Sequence, residues 1–174
     1  MRVTIAWICL LAFFAAVDAA EPRAEETAQT TVAEDSDAPK GSLVIIGGSE
    51  RFRDRELWDT IVELAGGDGA KIAVFPTAAS GQPIKSCAKL VQTLNRACAE
   101  SFIVPVAWSE VDRDVQEAVF DMELVERVRS ATGVYFVGGA QGRIVDALLD
   151  DNRERTPMLD AIWDVYRRGG VIAG

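Results

Sequence analysis

Histidine is absent from all 174 residues. That absence removes the commonest zinc ligand and every Ser-His or Cys-His pair from the chain itself. Positive charge is scarce too: 18 Lys and Arg face 27 Asp and Glu, for a net charge of −9. A nucleic-acid surface needs a cationic footprint to meet the phosphates, so nucleic acid is not an expected partner. Arg51, Arg53 and Arg55 come nearest to such a footprint, but Glu50, Asp54 and Glu56 are interleaved with them, which reads as a solvated face. Glycine-rich signatures of the G-x-G-x-x-G or Walker type are also missing. No metal and no organic cofactor is expected.

What is present begins with an export signal. Met1-Arg2 is a short positive start, Ile5 to Val17 an apolar run of secretory length, and Val17-Asp18-Ala19 a small-residue cleavage site. The run is short for a membrane span, so residues 1–19 are expected to be removed, leaving an exported protein with no membrane attachment; an uncleaved anchor is the alternative reading. Residues 20–41 are acidic, rich in Ala and Thr and poor in large apolar side chains, and are expected to form a disordered linker. Residues 42–174 then carry the domain.

Cysteine numbers three: Cys9 leaves with the signal, and Cys87 and Cys98 stand eleven residues apart. Both fall in one expected helix over 83–99, which separates them by about 16 Å along the axis. A disulfide tolerates Cα atoms within about 7 Å, so an intrachain bridge is excluded on that helix.

Five apolar runs read as strands: Leu43–Ile46, Ile72–Phe75, Phe102–Val106, Val134–Val137 and Val171–Gly174. Helical spacing separates them. Asp54 caps a helix whose Leu57, Ile61 and Leu64 share a face before Gly66 stops it; a second helix follows Pro83. Val115 to Val128 keep helical period as two short helices, another helix starts near Gly142, and Thr156-Pro157 opens the last. This alternation implies an α/β fold, a doubly wound, mostly parallel sheet with helices on both faces.

The stretch from Val134 to Gly142 is the focus of the chain. An unbroken apolar strand ends at Gly138-Gly139, the polar Gln141 follows, and a helix begins at once. Open α/β sheets build ligand sites at such carboxyl ends. Gly-Gly-Ala-Gln-Gly fits a plain strand-to-helix turn, and equally a backbone donor for an anionic transition state. Glu50 and the Thr77–Ser80 loop follow other strands and are candidates to border the same pocket, or are a surface carboxylate and a turn.

Four segments together, GSLVIIGGSE, AVFPTAAS, YFVGGAQGRI and AIWDVYRRGGVIAG, resemble the cyanophycinase family of serine peptidases, in order over roughly 42–174. The resemblance implies the flavodoxin-like, class I glutamine-amidotransferase-like fold and peptide or β-aspartyl-arginine hydrolysis through an acyl-enzyme. In that family the strand like Gly170–Gly174 leads into a nucleophile elbow, where a strained turn exposes the serine above the sheet. By this resemblance the nucleophile and the catalytic histidine lie beyond Gly174, and no serine present sits in a G-x-S-x-G turn. The 174-residue chain alone is therefore expected to be inactive.

Gly139 matches the glycine whose backbone N–H helps form the oxyanion hole, and Gln141 matches the substrate-contacting glutamine of Gly-Gly-Asp-Gln. Ala140 replaces the aspartate of that motif, which leaves cyanophycin itself less secure as substrate than peptides in general. An exported dipeptidase of other specificity, a non-catalytic ligand-binding α/β module and a truncated reading frame all stay open. So does the oligomeric state, a homodimer included.

Overall fold

The computed structural model describes residues 40–47, 54–97, 100–108 and 114–174. The expected signal, nearly all of the linker, Glu50 and Cys98 lie outside the described residues.

Among the described residues, five strands form one sheet in which every pairing is parallel. In chain order they are β1 (Ser42–Val44), β2 (Lys71–Phe75), β3 (Glu100–Ile103), β4 (Gly133–Phe136) and β5 (Val171–Ala173). Their spatial order is β1-β5-β4-β2-β3. The helices are α1 (Arg55–Leu64), α2 (Pro83–Ala97), α3 (Val115–Phe120), α4 (Met122–Arg129), α5 (Gln141–Leu148) and α6 (Pro157–Arg167).

Side chains alternate across the sheet because a strand repeats every two residues. Ile72, Val74, Tyr135, Val171 and Ala173 pack on one face with Trp58 and Ile61 of α1 and Cys87, Leu90 and Leu94 of α2. Ala73, Phe75 and Val134 face the other way, against Val119, Val125, Leu148, Met158 and Ile162 from α3 to α6. This division follows from the handedness of parallel crossovers. Connections β1→β2 and β2→β3 run one way along the sheet and place α1 and α2 on one face. Connections β3→β4 and β4→β5 run back and place the other helices opposite. The doubly wound α/β fold is thus present.

Three features differ from expectation for physical reasons. β1 is not buried on both faces: Leu43 is 60% and Ile45 90% exposed, and among the described residues β1 lies at the end of the strand order and pairs with β5 alone. The third strand spans Glu100–Ile103 rather than 102–106. Val104 N–H still reaches the Val74 carbonyl at 2.9 Å, but Pro105 has no N–H to donate and Val106 N–H turns back to the Val104 carbonyl at 2.8 Å. In α1 the buried stripe is Trp58, Ile61 and Val62, while Leu64 is exposed; the large indole sits under the sheet, its ring 5.8 Å from that of Tyr135.

The start of α6 is as expected. Thr156 is fully buried, accepts from Leu159 N–H at 3.3 Å and donates its hydroxyl to the Leu148 carbonyl at 2.9 Å. One side chain therefore caps α6 and ties it to the end of α5.

Candidate functional site at the carboxyl edge of the sheet

β2 and β4 are neighbours, yet the chain leaves them in opposite directions, β2 toward β3 and β4 toward β5. Such a reversal opens a crevice beyond the carboxyl ends of the two strands, the usual ligand site of open α/β sheets. Here the two strand ends run into Pro76–Ala79 and Val137–Ala140. Thr77, Ala78 and Ala79 are buried, whereas Gly138, Gly139, Ala140 and Gln141 are exposed. The buried loop thus forms a floor and the glycine turn a rim.

The contact between them depends on the absence of a side chain. Gly139 has φ +154°, and a Cβ there would lie 2.0 Å from the Ala78 carbonyl oxygen. Only glycine lets the two backbones come so close. The approach is fixed on either side: Val137 N–H donates to the Phe75 carbonyl and Ala140 N–H to the Ala78 carbonyl, each at 2.9 Å.

Ala140 is the cap residue of α5 and supplies no side-chain hydrogen bond; Gln141 is the first helical residue. The helix therefore opens with its first amides uncapped by a side chain. Among the described residues, the N–H groups of Gly138, Gly139, Gln141 and Gly142 have no hydrogen-bond acceptor. Donors lying together at a helix N-terminus favour a negatively charged group.

The structure brings Gly139, Gln141 and the Thr77–Ala79 part of the loop to one edge of the sheet. The end of β5 reaches the same edge: a Cβ on Gly174 would meet the Phe136 carbonyl oxygen at 2.7 Å. Gly174 is held on the β1 side, donating to the Val44 carbonyl at 3.2 Å and accepting from Ile46 N–H at 2.8 Å.

Two further side chains belong to this edge. Arg143, in the first turn of α5, donates from Nη1 to the Ala79 carbonyl at 2.7 Å and lies 3.5 Å from the Ala78 carbonyl. Trp108 donates its indole N–H to the Arg143 carbonyl at 2.9 Å. Hydrophobic periodicity says nothing about either. The one available hint is electrostatic, since a cation in the first turn opposes the helix dipole and needs a local reason to be there. Thr77 ties in the remaining loop, its buried hydroxyl donating to the Val106 carbonyl at 2.7 Å.

A depression of about 330 Å³ lies at the opposite edge, lined by Gly66, Thr132, Val165, Arg168 and Gly170 among others. It sits at the amino ends of β4 and β5, away from the glycine turn. Arg168 there serves the helix end, donating to the Arg129 and Ala131 carbonyls. No group of three or more Cys, Asp or Glu side chains suited to a metal occurs among the described residues.

No protein-family model matches the chain. Among solved structures it is similar to the crystal structure of a peptidase from an acI-B1 Actinobacterium, with 27% sequence identity and a TM-score of 0.62. The alignment covers 79% of this chain and 55% of that one.

Proposed function

We propose that this chain carries the oxyanion-binding half of an exported serine-type peptidase resembling the cyanophycinases. The observation that carries the reading is the Gly138–Gly139 turn, whose N–H groups have no acceptor among the described residues, at the switch point of a sheet similar to that of a peptidase. Acyl transfer puts negative charge on the former carbonyl oxygen, and fixed backbone donors stabilise that charge more than they stabilise the neutral substrate.

In this reading Gly139 N–H donates to the oxyanion. Gln141, one residue beyond Ala140 and exposed on the rim, orients the substrate, and Glu50 is a second contact for it. The nucleophilic serine follows the strand that ends near Gly174, and the base that activates it also lies outside these residues. Attack forms a serine ester and releases the amine; water then hydrolyses the ester and regenerates the serine. The substrates are peptides, with β-aspartyl-arginine linkages as the specific proposal. Neither a metal nor an organic cofactor takes part.

The test uses the protein extended by the residues encoded after Gly174. Hydrolysis of a β-aspartyl-arginine dipeptide, together with labelling by a serine-directed fluorophosphonate, supports the reading. Gln141→Ala is expected to lower turnover on the order of 10²-fold, the scale at which a misplacement of about 1 Å is felt, and Glu50→Ala to lower it less. A folded, extended protein that neither hydrolyses peptides nor labels is a ligand-binding module instead.

A further inference from the structure

We propose that Arg143 is a positioning residue, which holds the Gly138–Gly139 turn in register with the β2 loop. The proposal rests on the peptidase reading only for its consequence in turnover. The geometric part stands on hydrogen bonds alone.

Three loops meet at the carboxyl edge, from β2, β3 and β4; among the described residues the ladder runs one residue past β3 and β4, through Val104 N–H and Val137 N–H, and no further. Their links are few. Thr77 joins the β2 loop to the β3 loop through the Val106 carbonyl, Trp108 joins the β3 loop to α5 through the Arg143 carbonyl, and Arg143 joins α5 back to the β2 loop through Ala78 and Ala79. The three links form a closed ring. Within that ring lies the backbone bond that fixes the far side of the glycine turn, Ala140 N–H to the Ala78 carbonyl at 2.9 Å.

The Ala78 carbonyl is the common point. It accepts from Ala140 N–H, lies 3.5 Å from Arg143 Nη1 and faces the missing Cβ of Gly139. A carbonyl has two acceptor positions, so a backbone amide and a guanidinium can share it. Both contacts come from the one nitrogen Nη1, which carries two hydrogens, and the planar guanidinium fixes the directions of both toward the two successive carbonyls. Lysine has the charge but is a point donor on a flexible stem. Without Arg143 the β2 loop keeps its tie to β3 but loses its side-chain tie to α5. The Ala78 carbonyl is then free to swing away from Ala140 N–H, and the glycine turn loses its fixed partner.

Hydrogen exchange of single amides, followed by NMR on the intact chain, tests this directly. In Arg143→Ala the Ala140 amide is expected to exchange at least about tenfold faster, while Val137 N–H, bonded to Phe75 in the strand register, keeps its protection. Arg143→Lys is expected to fall between the two, because it can serve one carbonyl. Unchanged protection of Ala140 in both variants overturns the proposal, as does a uniform loss across the β2 and β4 amides, which would make Arg143 a general stability residue. If Arg143→Ala does not fold, the lysine variant decides alone: faster exchange confined to Ala140 supports the role, and no selective change refutes it. In the extended protein, Arg143→Lys is further expected to lower kcat with little change in KM. An inactive wild-type protein would remove the peptidase reading and leave the exchange result to decide the positioning role.

Discussion

Replacing Gly139 by alanine tests the close approach on which the candidate site is built. The new methyl would fall 2.0 Å from the Ala78 carbonyl oxygen and 2.5 Å from its carbon, both backbone atoms with no rotamer to yield. The φ of +154° is itself unfavourable for a residue with a Cβ. Backbone strain of that kind costs about 1–3 kcal/mol, and forcing an extra methyl into a packed contact costs a further ~1–3 kcal/mol. Gly139→Ala is therefore expected to destabilise the fold by roughly 2–6 kcal/mol. Against a typical domain stability of about 5–15 kcal/mol, that is a large share. Gly138 supplies the control. It has nothing within 4 Å of its virtual Cβ and no positive φ, so Gly138→Ala is expected to change stability by less than about 1 kcal/mol. Urea unfolding followed by circular dichroism measures both, and with m near 1–3 kcal/mol/M the midpoints should separate by roughly 1–3 M. Equal midpoints for the two variants would refute the packing of the glycine turn on Ala78.

Other expectations follow from single contacts. Thr77→Val keeps the shape of a buried residue but removes the donor to the Val106 carbonyl; a loss of about 1–3 kcal/mol is expected by urea unfolding, with Thr77→Ser retaining most of it. Thr156→Ala removes both the α6 cap and the bond to Leu148, and should cost roughly 1–3 kcal/mol, read as a lower midpoint. Export with cleavage after Ala19 predicts a secreted form whose intact mass begins at Ala20; a mature protein retaining Met1 would contradict it.

The fold was legible because the chain's strongest signals coincide with its physical constraints. Val134 to Phe136 is apolar without a break because β4 lies between two strands and two helical layers. Thr156-Pro157 names a helix start because a hydroxyl cap and a proline at the first turn satisfy the same orphan amides. Edge position was not legible: Leu43 and Ile45 look like core residues, and it takes the strand order to reveal that one side of β1 has no neighbour among the described residues. The site was half legible. Gly139 and Gln141 follow a buried strand, which marks a carboxyl-edge turn from sequence alone. Arg143 and Trp108 act through backbone carbonyls of other elements, 64 and 35 residues away in sequence, and such partners leave no local pattern.

The most direct test of the central claim is a crystal structure of the protein extended beyond Gly174, with a peptidyl aldehyde bound. The aldehyde carbon adds the serine hydroxyl to form a hemiacetal, whose oxygen stands in for the oxyanion. The account predicts that this oxygen lies about 2.7–3.1 Å from Gly139 N, with Ala140 N–H still on the Ala78 carbonyl. A hemiacetal oxygen held elsewhere, or a Gly139 N–H turned away from it, would contradict the account.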